Sequence, residues 1–441
     1  MRKLWIFTIL IGAALAAMLL MARTTKAEWT TNSREALQEY NLGHEARMKL
    51  YPADAREHFG NALALDSEFV AAKLALMIYS RGDERKRLAK ELEESDLNRL
   101  TAREQFLVRY HLAQHEGRDK EAYQALKSFL DAYPHDPWGL AAFAGRAWGE
   151  QNWDKAEKLY RKLIDVDPNW VEAQNRLAYI AMAQGRFEEA ESLLKTYQYV
   201  APDQANPHDS MGELLTLLGR YDEARSELEQ AVSIRPDFCA SHLHLADVYL
   251  LEGRPEATEP VFERAAEVCE ERFVEEMRCV ATFWSDYFSG DLDAPWRPER
   301  ARCREVVGPF FFLIHRMAVL SGRIDEALGI EAVIRERVAK MDSGGLEAKH
   351  FGGLIHHVTG ARLAVQGDPE GAIEELESAD ELFYYWGQGE GIAKLFNRLN
   401  LAAAHELAGD EAAARKIVEK VRKVNDKFSA FYDHVRQELA S

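Results

Sequence analysis

Linker composition is missing from this chain: its 13 prolines and 27 glycines are spread through 441 residues, and no Ser-rich or Pro-rich stretch occurs. Disordered and low-complexity classes are thereby excluded. Positive charge is also short. The formal net charge is −18 with no concentrated Lys/Arg patch to offset it, so the polyanion surface of nucleic acid is repelled and no nucleic-acid partner is expected. Neither GxSxG nor HExxH occurs, and none of the cysteines pairs convincingly with a histidine, so the usual signs of nucleophilic or zinc hydrolysis are wanting. The expectation is a protein that is not an enzyme, with no cofactor and no metal site.

What is present begins with a segment unlike the rest. Arg2 and Lys3 precede the apolar run Leu4 to Ala22, after which Arg23 and Lys26 return. This is the pattern of an export signal. Thr25-Lys26-Ala27 offers small residues where a signal peptidase cuts, while the run from Leu4 to Ala22 is long enough to span a bilayer core as a single anchor. Residues 1–27 are therefore a signal peptide or an N-terminal membrane anchor, and no cysteine follows the run to carry a lipid. Either way the remainder is expected outside the cytoplasm, periplasmic or facing the periplasm from the inner membrane. Loss of residues 1–27 takes four basic and no acidic residues, moving the charge from −18 to −22.

The four cysteines, Cys239, Cys269, Cys279 and Cys303, are confined to one part of the chain. In an exported chain they allow three disulfide pairings that the sequence does not rank, with buried free thiols as the alternative. Cys279 with Cys303 would join the two helices of an irregular pair.

A repeat organises the rest. GRDKEA at Gly117, QNWDKA at Gln151, GRFEEA at Gly185, GRYDEA at Gly219 and GRPEAT at Gly253 start at one constant interval. Ala122, Ala156, Ala190 and Ala224 keep the same step, as do Ala144, Ala178, Gly212 and Ala246, and Pro134, Pro168, Pro202 and Pro236. Within a unit, Val171, Leu177, Ala178 and Ala181 lie at helical spacing, Gly185-Arg186 interrupts, and Ala190, Leu193, Leu194 and Tyr197 resume it. Glycine suits a left-handed helix end and proline stops the second helix. Small residues mark close helix crossings, and large ones such as Trp153, Phe187, Tyr221, Leu194 and Leu228 fill the space between units. No unit buries its apolar face alone.

These small, glycine and proline positions resemble the tetratricopeptide repeat. The pattern is strongest from Arg103 to Pro236, with a looser earlier unit through Gly43, Ala55, Phe59, Ala62 and Ser67. GRIDEA at Gly322, GDPEGA at Gly367 and GDEAAA at Gly409 mark later pairs at longer intervals. The resemblance implies an all-α, right-handed superhelical solenoid of about ten antiparallel helix pairs. Its parts are a repeat array over 36–272, an irregular pair over 273–307, degenerate pairs over 308–425 and a capping helix over 426–441, with irregularity at 81–101 and 340–352. It further implies a concave groove that holds a peptide or a partner loop. Carried onto matching positions, the groove comprises Trp138, Trp148, Asn175, Arg176, Tyr179, Ser210, Glu213, His244 and Asp247, with His111 and Gln114 ahead of them. Leu107, Ala141 and Asp209 stand where a carboxylate clamp would need lysine, so that clamp is absent.

Other candidates are weaker. His111 and His115 have the spacing of a zinc helix but no evident third ligand; His242 with His244, and His350 with His356 and His357, read as polar lining. Asp286, Asp291 and Asp293 lack the spacing and distal Glu of a calcium loop. WGQGEG at Trp386 follows a stretch, ELFYYW, that belongs to a helix, so it reads as a widened turn between helices. Phe310 to Phe312 and Phe383 to Trp386 exceed one helix face, leaving rings to pack between units or to offer a docking patch. The expected function is a non-catalytic scaffold that binds a protein or peptide partner, reaching a membrane only through an uncleaved N-terminal segment. The alternative is small-molecule or glycan binding by residues 273–352.

Overall fold

The computed structural model describes residues 28–308, 312–341 and 345–440. The apolar run Leu4 to Ala22, with the export reading placed on it, lies outside the described residues, as do Phe310 and Phe311. No helix among the described residues is long and apolar enough to cross a membrane. All regular structure there is helical: α1 (Arg34–Met48), α2 (Pro52–Leu65), α3 (Val70–Tyr79), α4 (Gly82–Glu93), α5 (Ala102–His115), α6 (Asp119–Ala132), α7 (Pro137–Gly149), α8 (Trp153–Val166), α9 (Glu172–Ala183), α10 (Phe187–Val200), α11 (Ala205–Leu217), α12 (Tyr221–Ile234), α13 (Cys239–Leu251), α14 (Glu259–Ala266), α15 (Glu271–Phe288), α16 (Ala301–Val307), α17 (Phe312–Leu320), α18 (Ile324–Ala339), α19 (Leu346–Val365), α20 (Pro369–Leu382), α21 (Gly387–Leu407), α22 (Glu411–Val424) and α23 (Phe431–Ala440). Helices α1 to α22 form successive pairs, and α23 follows alone. The stretch 81–101, expected to be irregular, contains α4, the second helix of a regular pair.

Local chemistry sets these boundaries. Pro134, Pro168, Pro202 and Pro236 each follow the last cap residue of α6, α8, α10 and α12, where a helix cannot continue for want of an N–H. Asn152, Asp368 and Asp410 accept the first-turn N–H groups of Lys155, Gly371 and Ala413, satisfying donors that the helix leaves unpaired. Gly117, Gly185, Gly219 and Gly253 turn at φ between 70° and 73°, and Gln151 takes the same place at φ 55°.

The hairpin crossing recurs as a fixed pair of residues. A Cβ added to Gly43 would lie 2.6 Å from Phe59, one on Gly212 2.5 Å from Leu228, and one on Gly360 2.6 Å from Leu376. In each case the partner is the sixteenth residue on. Ala144 with Tyr160, Ala178 with Leu194 and Ala246 with Phe262 are buried at that same separation. Ala156, Ala190 and Ala224 have no exposed surface. The late unit around Gly360 therefore keeps the internal crossing although its distance from the preceding unit has changed.

The chain forms two compact units, up to Ala142 and from Phe143 onward, with the division falling within α7. In the first, Tyr40 packs with Phe59 and Phe69, and Phe106 stacks on Phe129 at 4.3 Å. Thr101 caps α5 through a reciprocal bond with Glu104, whose carboxylate also accepts from the Thr30 N–H at 2.8 Å. In the second, α21 packs along α11, and one apolar core runs from Ala178 through Leu399 to Val435. That return of the chain onto its own repeats is why this unit extends to the C-terminal helix. Two disulfides, Cys239–Cys269 and Cys279–Cys303, pin α13 to the end of α14 and α15 to α16, with Cα separations of 5.9 and 5.0 Å.

Candidate functional site

The groove positions read from the sequence divide between the units. Trp138 belongs to the first, where its ring meets Trp29 at 5.3 Å and His44 at 4.7 Å, with the Arg47 guanidinium 5.5 Å above it. The other eight belong to the second. There Tyr179, Glu213 and Asp247 occupy one position in successive repeats, Arg176, Ser210 and His244 another, and Asn175 and Asp209 a third. Stacking the first helices brings each series into a ladder.

The ladder is not an open wall. Ser210 is 1% and Asn175 6% exposed, and the chain's own segment from Tyr384 to Gln388 packs on the ladder at Trp148, Tyr179, Glu213 and Asp247. Phe383 to Trp386 is extended chain linking α20 to α21, not the helix expected for ELFYYW. Trp386 meets the edge of Trp148 at 4.5 Å and Tyr179 at 5.9 Å, Tyr384 meets Trp153 at 5.9 Å, and Tyr385 meets Phe187 at 5.2 Å. The glycines of WGQGEG open α21 rather than widening a turn. A Cβ on Gly387, itself at φ 59°, would lie 2.5 Å from Glu213, and one on Gly391 2.7 Å from Leu217. Only glycine lets this backbone approach α11 so closely.

Four ionisable groups meet beneath that segment. His244 Nδ1 lies 2.9 Å from Asp209 and its Nε2 lies 3.5 Å from Glu213. Ser241 donates to Asp209 at 2.7 Å, and the Tyr179 hydroxyl donates to Glu213. Gln388 donates its main-chain N–H to Glu213 at 3.3 Å and its Nε2 to Asp247 at 2.9 Å. Burial by itself would lower the His244 pKa, but Asp209 and Glu213 override it and hold the imidazole up at about 10. Burial raises Glu213, and it raises Asp247 to about 6 against the pull of His244 and Gln388. The side-chain atoms of Asp209, Glu213 and His244 lie within 4.8 Å of one another, a spacing that suits a cation. Each ring nitrogen faces a different carboxylate, so without an ion the imidazole is held between two acids.

A second contact ties the C-terminal chain to the array. Asn425, fully buried, donates to the Thr216 and Leu217 carbonyls at 3.4 and 3.1 Å and accepts from the Phe428 N–H at 2.8 Å. It thus supplies a donor to the Leu217 carbonyl at the end of α11 and a second one to Thr216, which also accepts from the Gly219 N–H. Gln151, in its left-handed conformation, accepts from Tyr384 at 3.0 Å and from Lys349.

The remaining candidates are structural. Asp286 forms a two-bond pair with Arg300 and Asp291 with Arg297, and Asp293 bonds Arg323, leaving an ion-paired acidic turn. Burial, aided by Arg47, lowers His111 to about 4 and His44 to about 3. His357 bonds Asn397 and His356 bonds Glu375. Asp209, Trp386, Gln388 and Asn425 were not among the groove residues expected. The signal that reaches them is the spacing of Gly387 and Gly391, one helical turn apart, which marks a face made for close approach.

Residues 147–214 match a model of the tetratricopeptide repeat, and residues 208–238 match another. No curated protein matches the chain. Among solved structures, the Cut9–Hcn1 hetero-tetramer of the APC/C is 14% identical, with 98% of this chain and 74% of that chain covered and a TM-score of 0.48. MamA from Desulfovibrio magneticus RS-1 is 16% identical over 43% of this chain and 97% of that one, with a TM-score of 0.32. A tetratricopeptide repeat protein from Parabacteroides merdae is 14% identical over 62% and 98%, with a TM-score of 0.35. The chain thus carries tetratricopeptide repeats, which generally mediate protein–protein interaction.

Proposed function

We propose that this protein is a non-catalytic scaffold outside the cytoplasm, and that the groove between Trp148 and Asp247 is a peptide-holding surface for which the chain's own segment 383–391 competes with a partner loop. The observation that carries this reading is the way that segment is held. The non-helical stretch Phe383 to Trp386 lies against Trp148 and Tyr179 on first helices. The side-chain amide of Gln388, in the first turn of α21, is bonded between Asp247 and the His244 carbonyl, so the groove already holds a segment of chain. The two disulfides and the N-terminal pattern support an oxidising compartment. Crosslinking in intact cells followed by mass spectrometry tests the reading and also reports the mature N-terminus, distinguishing cleavage from anchoring. The expected result is one partner captured by the wild type and captured more strongly by Trp386→Ala. Turnover of a substrate by the purified chain, abolished by one point substitution, would refute a scaffold.

A further inference from the structure

Beside the closed groove, α13, α15 and α21 enclose a cavity of about 220 Å3, larger than the ~150 Å3 apolar cavity known to hold benzene. Its walls include the rings of Trp284, Phe288, Phe312, Phe396, Phe428 and Phe431, and its polar groups are Asp247 and Gln388. The region 273–352 therefore supplies only part of the walls, and the polar end comes from elsewhere.

The amide orientation at that end is fixed by its neighbours. Gln388 Nε2 faces Asp247 Oδ2 at 2.9 Å and the His244 carbonyl at 3.4 Å. Both are acceptors, so the nitrogen must be the atom there and the oxygen must be the other. That oxygen accepts no hydrogen bond, in a residue 2% exposed. Asp247 thus places a carboxylate at the end of an aromatic chamber, while the Gln388 oxygen is closed off from that space. The positive end of α21 does not serve that carboxylate, since the Gln388 N–H is bonded to Glu213. Nor does Arg316, which stacks on Phe396 but is paired with Glu438 and Asn400.

We infer that this cavity binds a small protonated amine carried on an aromatic or aliphatic body, with its ammonium group on Asp247 and its body among the rings. Charge favours an amine over a neutral donor: Asp247 is the ionisable side chain that lines the cavity, and aromatic faces attract a desolvated cation. An anion is opposed by the same carboxylate.

Calorimetric titration and thermal shift of the full chain at about pH 7, where Asp247 is mostly ionised given its pKa of about 6, test this with 2-phenylethylamine, 2-phenylethanol and 3-phenylpropionate. The amine is expected to bind at least tenfold more tightly than the alcohol, with no binding of the acid. Asp247→Asn should erase the preference for amine over alcohol, and Ala393→Phe, which fills the cavity, should abolish binding of both. Because the analogue series needs only the wild type, a variant that fails to fold leaves the test intact. No binding of the amine, or equal binding of amine and alcohol, overturns the inference. Partner capture in cells reads a separate property, so the scaffold reading stands or falls independently.

Discussion

Two places on the first helices treat their histidines oppositely, the surroundings of Arg47 in the first unit and the Asp209–Glu213 cluster in the second; elsewhere in the second unit His315 and His357 are again held down by burial. Up to Ala142, His44 and His111 are buried near Arg47 and held neutral, at about 3 and about 4. After Phe143, His244 is buried between Asp209 and Glu213 and held charged, to about 10. The hairpin geometry is the same in both, since an added Cβ would come to 2.6 Å at the Gly43–Phe59 crossing and 2.5 Å at the Gly212–Leu228 crossing. The difference lies in which side chains the repeat step stacks around each ring. A repeat frame fixes where a group sits and leaves its charge to its neighbours.

The sharpest way to break this contrast is to remove the two rings separately. His244→Ala leaves two buried carboxylates facing each other and should cost about 3–5 kcal/mol. His111→Ala removes a neutral ring and should cost about 1–2 kcal/mol. Denaturant unfolding measures both, and equal losses would mean that the charged cluster is not special. Ala224→Trp should cost about 3 kcal/mol, at the upper end of overpacking, because Ala224 has no exposed surface; thermal unfolding checks it. Trp386→Ala should cost about 2 kcal/mol, as expected for a half-buried ring in several aromatic contacts. Hydrogen exchange should then quicken in the first turns of α21 and stay unchanged in α1 to α6.

The pH dependence has opposite signs at these two places. The fold favours neutral His44 and His111, so their contribution is full above the ordinary imidazole pKa of about 6.5 and is lost as pH falls toward about 4 and about 3. The fold favours charged His244, so its contribution is full below about 6.5 and is lost as pH rises through about 10. The stability gap between wild type and His244→Gln should therefore be wide at neutral pH and close above about 10. Imidazole proton shifts followed by NMR give the same test directly. The smallest effect is expected for Glu223→Lys, whose carboxylate is exposed: within about 0.5 kcal/mol in the same unfolding assay.

The helices were legible where a local rule repeats. Glycine or Gln151 at the turns, proline after α6, α8, α10 and α12 and small and large residues in register at a constant step are all one-dimensional signals. The groove residues were legible only as positions. Nothing near Glu213 in the chain announces that Gln388 will bond to it 175 residues later, and the FYYW stretch, apolar enough for a helix, becomes extended because its rings find Trp148, Trp153 and Phe187. The disulfides were open among three pairings because proximity of helix ends is not encoded in cysteine spacing.

The order of letters along this chain is enough to specify hairpins and their stacking, because each hairpin contacts its sequence neighbours through residues at constant intervals. It was folding in three dimensions that decided what covers the groove and which ring carries charge. Those outcomes depend on α21 returning to α11 from far along the chain, a contact made by surface complementarity and close glycine backbones, for which no local periodicity exists.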